Sequence, residues 1–229
     1  DVPSGKLIQH HEFVAAMKVD YHSSGQYLAV AHDELVSLLN PITGEIIYES
    51  DTYLAGMVGT FPKSLQFVTG SADGSIKLDS INSSGYHRIQ NLVGPTTELL
   101  ISNDERRIYI FEVFDVYILN VEKNEIIKTL FDFDIDDCPD YEVAEAMRGV
   151  LSRDNQYLVT NGESGMLNIF ETAHFRRLQR IDVKYDVSMA VTHDDKYLVT
   201  VTWGQSLTFT VREMPTGEKI LERQYQFSI

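Results

Sequence analysis

A short polar turn followed by an apolar run recurs five times along the chain. The copies are Ser24-Gly25-Gln26-Tyr27-Leu28-Ala29-Val30, Ser64-Leu65-Gln66-Phe67-Val68-Thr69, Asp104-Glu105-Arg106-Arg107-Ile108-Tyr109, Asp154-Asn155-Gln156-Tyr157-Leu158-Val159-Thr160 and Asp194-Asp195-Lys196-Tyr197-Leu198-Val199-Thr200. With Leu28, Phe67, Ile108, Leu158 and Leu198 as equivalents, the spacings are 39, 41, 50 and 40 residues. A unit of this size cannot cover its own apolar face, so a chain with this period must stack its units into one continuous core.

Each unit has one internal order. An apolar strand such as Phe13 to Val19, Leu99 to Ser102 or Val187 to Thr192 precedes the turn, and the apolar run after it forms a second strand. A tight turn follows, at His32-Asp33-Glu34, Asp73-Gly74, Phe114-Asp115, Glu163-Ser164-Gly165 or Trp203-Gly204-Gln205. At Asp73-Gly74 the dipeptide predicts a type I′ hairpin turn, which demands positive φ at both residues. A third strand with period-2 alternation comes next, as in Met166-Leu167-Asn168-Ile169-Phe170, and then a fourth such as Glu45-Ile46-Ile47-Tyr48. Four short antiparallel strands per unit make a propeller blade. The expected fold is all-β, a β-propeller of four-stranded antiparallel blades with about five blades present. The units run over residues 11–50, 51–91, 92–131, 143–182 and 183–224, with an acidic insertion at 132–142. Only Tyr141 to Arg148 has room for a helical turn or two.

The run Phe67-Val68-Thr69-Gly70-Ser71-Ala72-Asp73-Gly74-Ser75-Ile76-Lys77-Leu78 resembles the middle of a WD-repeat blade, and Pro41-Ile42-Thr43-Gly44-Glu45-Ile46-Ile47-Tyr48 resembles its turn and outer strand. The likeness extends over nearly the whole chain. The name-giving Trp-Asp pair is absent, and Leu39, Asp79, Leu119, Phe170 and Thr210 stand where the Trp would fall. The Gly-His pair that opens such repeats is missing too. Tyr157-Leu158-Val159-Thr160-Asn161 is also similar to the repeats of bacterial surface propellers. The WD-repeat resemblance implies a scaffold for protein partners.

Candidate outer strands are Lys6 to His10, Glu45 to Glu49, Tyr86 to Gln90, Glu125 to Leu130, Arg176 to Ile181 and Glu218 to Arg223. Six outer strands for five inner triplets predict an arc of a longer propeller; an intact five-blade ring with a redundant strand is the second reading. An arc leaves apolar blade faces open to association. The chain begins Asp-Val-Pro-Ser without Met, which fits a trimmed or excised piece.

With 34 acidic and 19 basic side chains the formal charge is −15. Such a charge repels nucleic acid and anionic membrane surfaces and favours basic protein partners or a place in a multi-subunit assembly. No apolar run reaches the roughly 18 residues of a membrane-spanning helix. The single cysteine, Cys138, allows no internal disulfide and points weakly to a reducing, cytoplasmic compartment.

The acid is concentrated. Asp132, Asp134, Asp136, Asp137, Asp140, Glu142 and Glu145 fall in one link that holds no Lys or Arg. This link either engages a basic segment, with Phe131, Phe133, Ile135 and Tyr141 as apolar anchors, or is an inert connection between blades. It imitates the start of a calcium loop, but Asp137 replaces the required Gly and Val143 the bidentate Glu. His11-Glu12 begins a zinc-protease pattern that Ala15 breaks. Gly162-Glu163-Ser164-Gly165 is one residue short of a nucleophile elbow. Cys138 sits among carboxylates that disfavour its thiolate. The seven histidines are expected at the surface, and Asn82-Ser83-Ser84 fits the glycosylation pattern by chance. No cofactor and no metal are expected.

By the resemblance, the turns between second and third strands share one face with the inter-blade links. That face would carry Asp33, Glu34, Asp73, Asp115, Glu163 and Trp203 together with Phe133, Asp134, Ile135, Asp136, Asp137 and Tyr141. Trp203 is either an exposed anchor or packed beneath the next loop. The reading is a non-catalytic interaction scaffold presenting an acidic face. An enzyme or metal-binding propeller, with its site in the central channel or in blades not present, is the alternative.

Overall fold

The computed structural model describes residues 7, 10, 12–13, 15–32, 35–50, 55–81, 87–92, 94–112, 115–131, 148–161, 165–183, 187–204 and 206–226. These residues form strands and turns and no helix. The strands build five four-stranded antiparallel sheets. The first holds β1 (Lys18–Tyr21), β2 (Leu28–His32), β3 (Leu35–Leu39) and β4 (Ile46–Ser50), and the second β5 (Ala55–Thr60), β6 (Gln66–Ser71), β7 (Ser75–Ser80) and β8 (His87–Asn91). The third runs β9 (Glu98–Ile101), β10 (Arg107–Phe111), β11 (Asp115–Asn120) and β12 (Glu125–Phe131). The fourth holds β13 (Arg148–Leu151), β14 (Tyr157–Asn161), β15 (Met166–Glu171) and β16 (Arg176–Asp182), and the fifth β17 (Val187–Val191), β18 (Tyr197–Trp203), β19 (Ser206–Glu213) and β20 (Lys219–Gln226). Within every sheet the strands lie in chain order. The chain divides into two compact units, Asp1–Ile101 and Ser102–Ile229.

Alternation along the strands builds both cores. In the first unit Tyr27, just before β2, Ala29 and Ala31 of β2 and Val36 and Leu38 of β3 pack with Val58 and Phe67 of the second sheet. In the second unit Val159, Leu167 and Ile169 meet Val187 and Leu198 of the fifth sheet and Met214, in the turn after β19. The third and fourth sheets meet closely where β13 passes the end of β10. A Cβ added at Gly149 on β13 would fall inside van der Waals contact of the Phe111 ring, so the position needs glycine for space.

Each outer strand carries one bulge. In the first sheet Leu38 pairs with Tyr48 and Leu39 with Ile46, which leaves Ile47 as the extra residue. The same arithmetic gives Ile89, Ile127, Leu178 and Ile220. All five bulge residues are aliphatic, and Ile47, Ile127 and Ile220 are 46, 39 and 55% exposed. A bulge bends an outer strand and blunts an edge that would otherwise pair with another chain.

Four expectations change. The first strand is Lys18–Tyr21, later than Phe13 to Val19, because Ala15 adopts positive φ and ends extended backbone there. Of the outer strand expected at Lys6 to His10, the two described residues, Leu7 and His10, lie outside any strand; Lys6, Ile8 and Gln9 are outside the described residues. At Asp73-Gly74 only Gly74 has positive φ, and its N–H bonds Ser71 O at 3.1 Å. The loop is therefore a type I turn closed by a left-handed glycine, one residue longer than a type I′ turn. The fourth change concerns the Trp-equivalent positions. Leu39, Asp79, Leu119 and Phe170 pair with Leu28, Phe67, Ile108 and Leu158. In the fifth sheet the partner of Leu198 is Arg212, two residues beyond Thr210. The cause is a longer hairpin: Tyr157 pairs with Glu171, 14 residues on, whereas Tyr197 pairs with Glu213, 16 residues on. Burial lowers the affinity of the Arg212 guanidinium for its proton, offset in part by Glu222.

Candidate interaction surface

The turns between first and second strands repeat down to single atoms. In the third, fourth and fifth sheets they read Ser102-Asn103-Asp104-Glu105, Ser152-Arg153-Asp154-Asn155 and Thr192-His193-Asp194-Asp195. The last residue of each has positive φ, at 63, 61 and 58°. Its N–H bonds the carbonyl three residues back, at 2.8, 2.9 and 2.9 Å. The first-position hydroxyl donates to the third-position carboxylate at 2.6 Å in Ser102, 2.7 Å in Ser152 and 2.7 Å in Thr192. The same hydroxyl accepts the N–H of Arg107, Tyr157 or Tyr197. Hydroxyl and carboxylate thus satisfy donors and acceptors that a tight turn leaves unpaired. For Asp104, desolvation raises the carboxyl pKa, but the Ser102 hydroxyl, the Arg106 amide and the charges of Arg106 and Arg107 outweigh it and hold it below the ordinary value. Asp194 is lowered chiefly by the Thr192 hydroxyl.

Neighbouring turns in the second unit are tied together. Asn155 Oδ1 accepts the Asn103 N–H at 2.8 Å. The Asp195 carboxylate accepts the N–H groups of Arg153 at 2.7 Å and Asp154 at 2.9 Å. The left-handed residue of one turn therefore caps the turn before it. Arg107 adds a second tie: its guanidinium donates to Thr172 O at 2.8 Å and lies 5.2 Å from the Phe175 ring centroid.

In the first unit the same turn is built from other atoms. His22-Ser23-Ser24-Gly25 closes through Gly25 N–H to His22 O at 2.8 Å, with Gly25 at φ +73°. His22 is buried, stacks on Tyr27 at 4.5 Å, meets Ser24 Oγ at 2.6 Å and reaches Ser64 O of the second sheet at 3.1 Å. His32 is buried as well, 2.6 Å from Ser37 Oγ, which donates to Glu49 at 3.3 Å. The expectation of surface histidines fails for these two because each ring finds partners on a neighbouring strand or turn. The Ser37–His32 pair offers no nucleophile to solvent, since Ser37 has no exposed surface. Among the described residues, no group of three or more His, Cys, Asp or Glu side chains is placed to hold a metal ion.

Of the residues expected on the docking face, Asp73, Asp115 and Trp203 are described; Asp33, Glu34, Phe133, Asp134, Ile135, Asp136, Asp137, Tyr141 and Glu163 lie outside the described residues. All three described ones sit where second and third strands join. Asp73 accepts from the Ser71 hydroxyl and from the Ser75 N–H at 2.8 Å, so its carboxylate already holds its own turn. Asp115 is half-buried at the start of β11 and accepts from Tyr117 Oη at 3.2 Å. Burial, with the charges of Glu112 and Asp115, pushes the Tyr117 phenol up to about 12. Trp203 is the last residue of β18 and stands 46% exposed. The hydroxyls at positions 102, 152 and 192 and the buried His22 were not singled out from sequence. A Ser or Thr two residues before each turn Asp was the available signal.

No protein-family model matches the chain, and no curated protein matches it either. Solved structures do: 1513 chains are similar, so the fold is widespread and carries no partner by itself. One of them belongs to the crystal structure of a mitotic checkpoint complex, with a TM-score of 0.77 at 13% identity over 92% of this chain and 67% of that one. At that identity the likeness shows the fold alone: the five four-stranded antiparallel sheets are blades of a β-propeller fold, and the chain spans about two thirds of that similar chain.

Proposed function

We propose that the chain is a degenerate WD-repeat propeller acting as a non-catalytic scaffold for protein–protein interaction, with an acidic surface for a basic partner segment or for a neighbouring subunit. The observation that carries the reading is charge. The formal charge is −15, and Asp132, Asp134, Asp136, Asp137, Asp140, Glu142 and Glu145 crowd the link between third and fourth sheets with no Lys or Arg among them. Asp73 and Asp115 accept hydrogen bonds within their own hairpins, so the reading leans on the charge density of this link in the sequence. Of the turns between second and third strands, the one at Asp73 is held by the Ser71 hydroxyl and the Ser75 N–H, and a turn so held loses little entropy when a partner docks. That the similar chain of known structure comes from a multi-protein complex supports the same kind of role.

Charge reversal tests it. Asp132, Asp134, Asp136 and Asp137 are changed together to Lys, and partners are recovered by affinity purification at low and high salt. Loss of salt-sensitive partners is expected. An unchanged partner set with unchanged salt sensitivity would remove the acidic link from the interaction.

A further inference from the structure

One corner of the second unit holds hydrogen-bonding groups that its own fold does not use. Arg148 opens β13 and pairs in register with Asn161, the last residue of β14. By strand alternation the two share a face with Val150 and Val159, which pack toward the fifth sheet. On that sheet Val187 opens β17 and pairs with Thr202 of β18. The two pairs meet through one bond, donated by Asn161 Nδ2 to Val187 O at 3.4 Å. Asn161 is 3% exposed, and its Oδ1 is buried and accepts no hydrogen bond. Arg148 is exposed beside it, and among the described residues no carboxylate pairs with its guanidinium. Thr202, nearly buried, brings a hydroxyl to the same corner. All four residues belong to the unit Ser102–Ile229 and lie at the end of the sheets where second and third strands join.

The fold does not require an amide here. The position of Asn161, three residues after Leu158, is occupied by Ala31, Gly70, Phe111 and Val201 in the other sheets. In the first sheet the residue paired with Ala31 is again a cation, Lys18, but it is engaged by Glu98 at 3.1 Å. In the fifth sheet Val201 pairs with Ser188. A buried carbonyl without a donor destabilises a fold, so an amide kept where apolar residues serve elsewhere points to a donor that arrives from outside.

We propose that this corner binds a carboxylate of a peptide segment, with the Arg148 guanidinium donating to the carboxylate oxygens and Asn161 Oδ1 accepting a backbone N–H of the same segment. The donor and acceptor set selects this ligand. A bare anion would answer Arg148 and leave Oδ1 without a donor, and a lone water would answer Oδ1 and leave the guanidinium without an anion. Arg148 is the one cation of the corner among the described residues, which matches the single charge of a carboxylate, and a guanidinium fits that group through two parallel bonds. The ligand is opposite in sign to a partner of the acidic link, so either site can fail without the other.

Three short acetylated peptides of otherwise uncharged sequence test it against the isotope-labelled protein. One has a free C-terminal carboxylate, one is amidated and carries a central Glu, and one is amidated with no acid. The Asn161 side-chain amide and the Arg148 Nε–H, assigned from the spectra of Asn161→Val and Arg148→Gln, report the corner by NMR. Saturable shifts of both signals are expected with an acid-bearing peptide and none with the third, and the first two peptides distinguish a chain end from an acidic side chain as the source. Arg148→Gln should weaken binding about tenfold or more with the melting temperature unchanged, because the lost charge-assisted bond is to the ligand and not within the protein. Asn161→Val, which copies Val201 of the fifth sheet, should also weaken binding without lowering the melting temperature, whereas an amide with a structural task alone would leave binding as it was. No saturable shift with either acid at millimolar concentration, an equal shift with the acid-free peptide, or binding that survives both substitutions overturns the assignment.

Discussion

The first turn of the first sheet and the first turns of the third to fifth sheets have one backbone and two chemistries. Both end on a left-handed residue whose N–H closes on the carbonyl three residues before. In Ser152-Arg153-Asp154-Asn155 a small hydroxyl and a solvent-facing carboxylate make the turn self-sufficient, while Asn155 is spent on the Asn103 N–H. In His22-Ser23-Ser24-Gly25 glycine supplies the left-handed φ and reaches no neighbour, and the buried imidazole makes the tie to Ser64 O instead. The position that turns the chain also bridges to the next turn in one version, and the two tasks are split between residues in the other. Equivalent backbone therefore does not imply equivalent sensitivity to substitution.

The largest break in that comparison is expected at His22. His22→Ala removes a fully buried ring stacked on Tyr27 and leaves Ser64 O without this donor, a loss of about 2–3 kcal/mol in urea unfolding. Ser152→Ala removes one hydroxyl from a turn whose carboxylate still accepts the Gln156 N–H at 2.9 Å, and about 1 kcal/mol is expected. Equal losses at the two sites would mean that the imidazole does no more than the hydroxyl.

Exchanging the left-handed residues should cost about 1 kcal/mol in each direction, for unlike reasons. Gly25→Ala keeps open space around the new Cβ, with Tyr21 Oη at 3.5 Å, and suffers only from φ +73°. Asn155→Gly relaxes the backbone but forfeits the bond from the Asn103 N–H. Thermal unfolding of the two variants checks it. A stabilised Asn155→Gly protein would show that the bridge between turns contributes nothing.

What was legible in the sequence was whatever depends on period. Five units, four strands each and the polar turn at a fixed offset come directly from recurrence, because a half-buried strand must alternate and a tight turn needs Gly, Asn or Asp. What escaped depends on register and on partners far along the chain. Ile47 and Ile220 look like ordinary strand residues, and only pairing with β3 and β19 shows them displaced by a bulge. Thr210 looked equivalent to Phe170 by simple spacing, and the longer hairpin moved the true equivalent to Arg212. His22 and Asp79 look polar enough for the surface. Their burial is compensated by Ser64 O in one case and the Tyr48 hydroxyl in the other, partners 42 and 31 residues away. Of the candidate surface, the sequence located the hairpin carboxylates but not their engagement, since an Asp that holds its own turn and an Asp that awaits a partner read alike.

The smallest expected effect separates the two turn chemistries by acid. Asp104 and Asp194 have folded-state pKa values below their ordinary 3.8. The unfolded chain therefore takes up these protons first as pH falls, and it binds more protons than the folded chain between the depressed values and 3.8. Stability from the two carboxylates is complete above that window and is lost as pH drops through the folded values. Asp104→Asn with Asp194→Asn keeps an acceptor in each turn but removes the titration, so the double variant should lose less melting temperature than the wild type between pH 5 and about pH 2.5. Both positions lie in the second unit, and the first unit's corresponding turn offers Ser24 where they offer a carboxylate. Putting Asp at that position, as Ser24→Asp, should add an acid-sensitive bond to a turn that has none from this position, which steepens the same pH dependence. Parallel melting curves for wild type and the double variant would mean that the hydroxyl–carboxylate pairs hold geometry without storing charge-dependent stability.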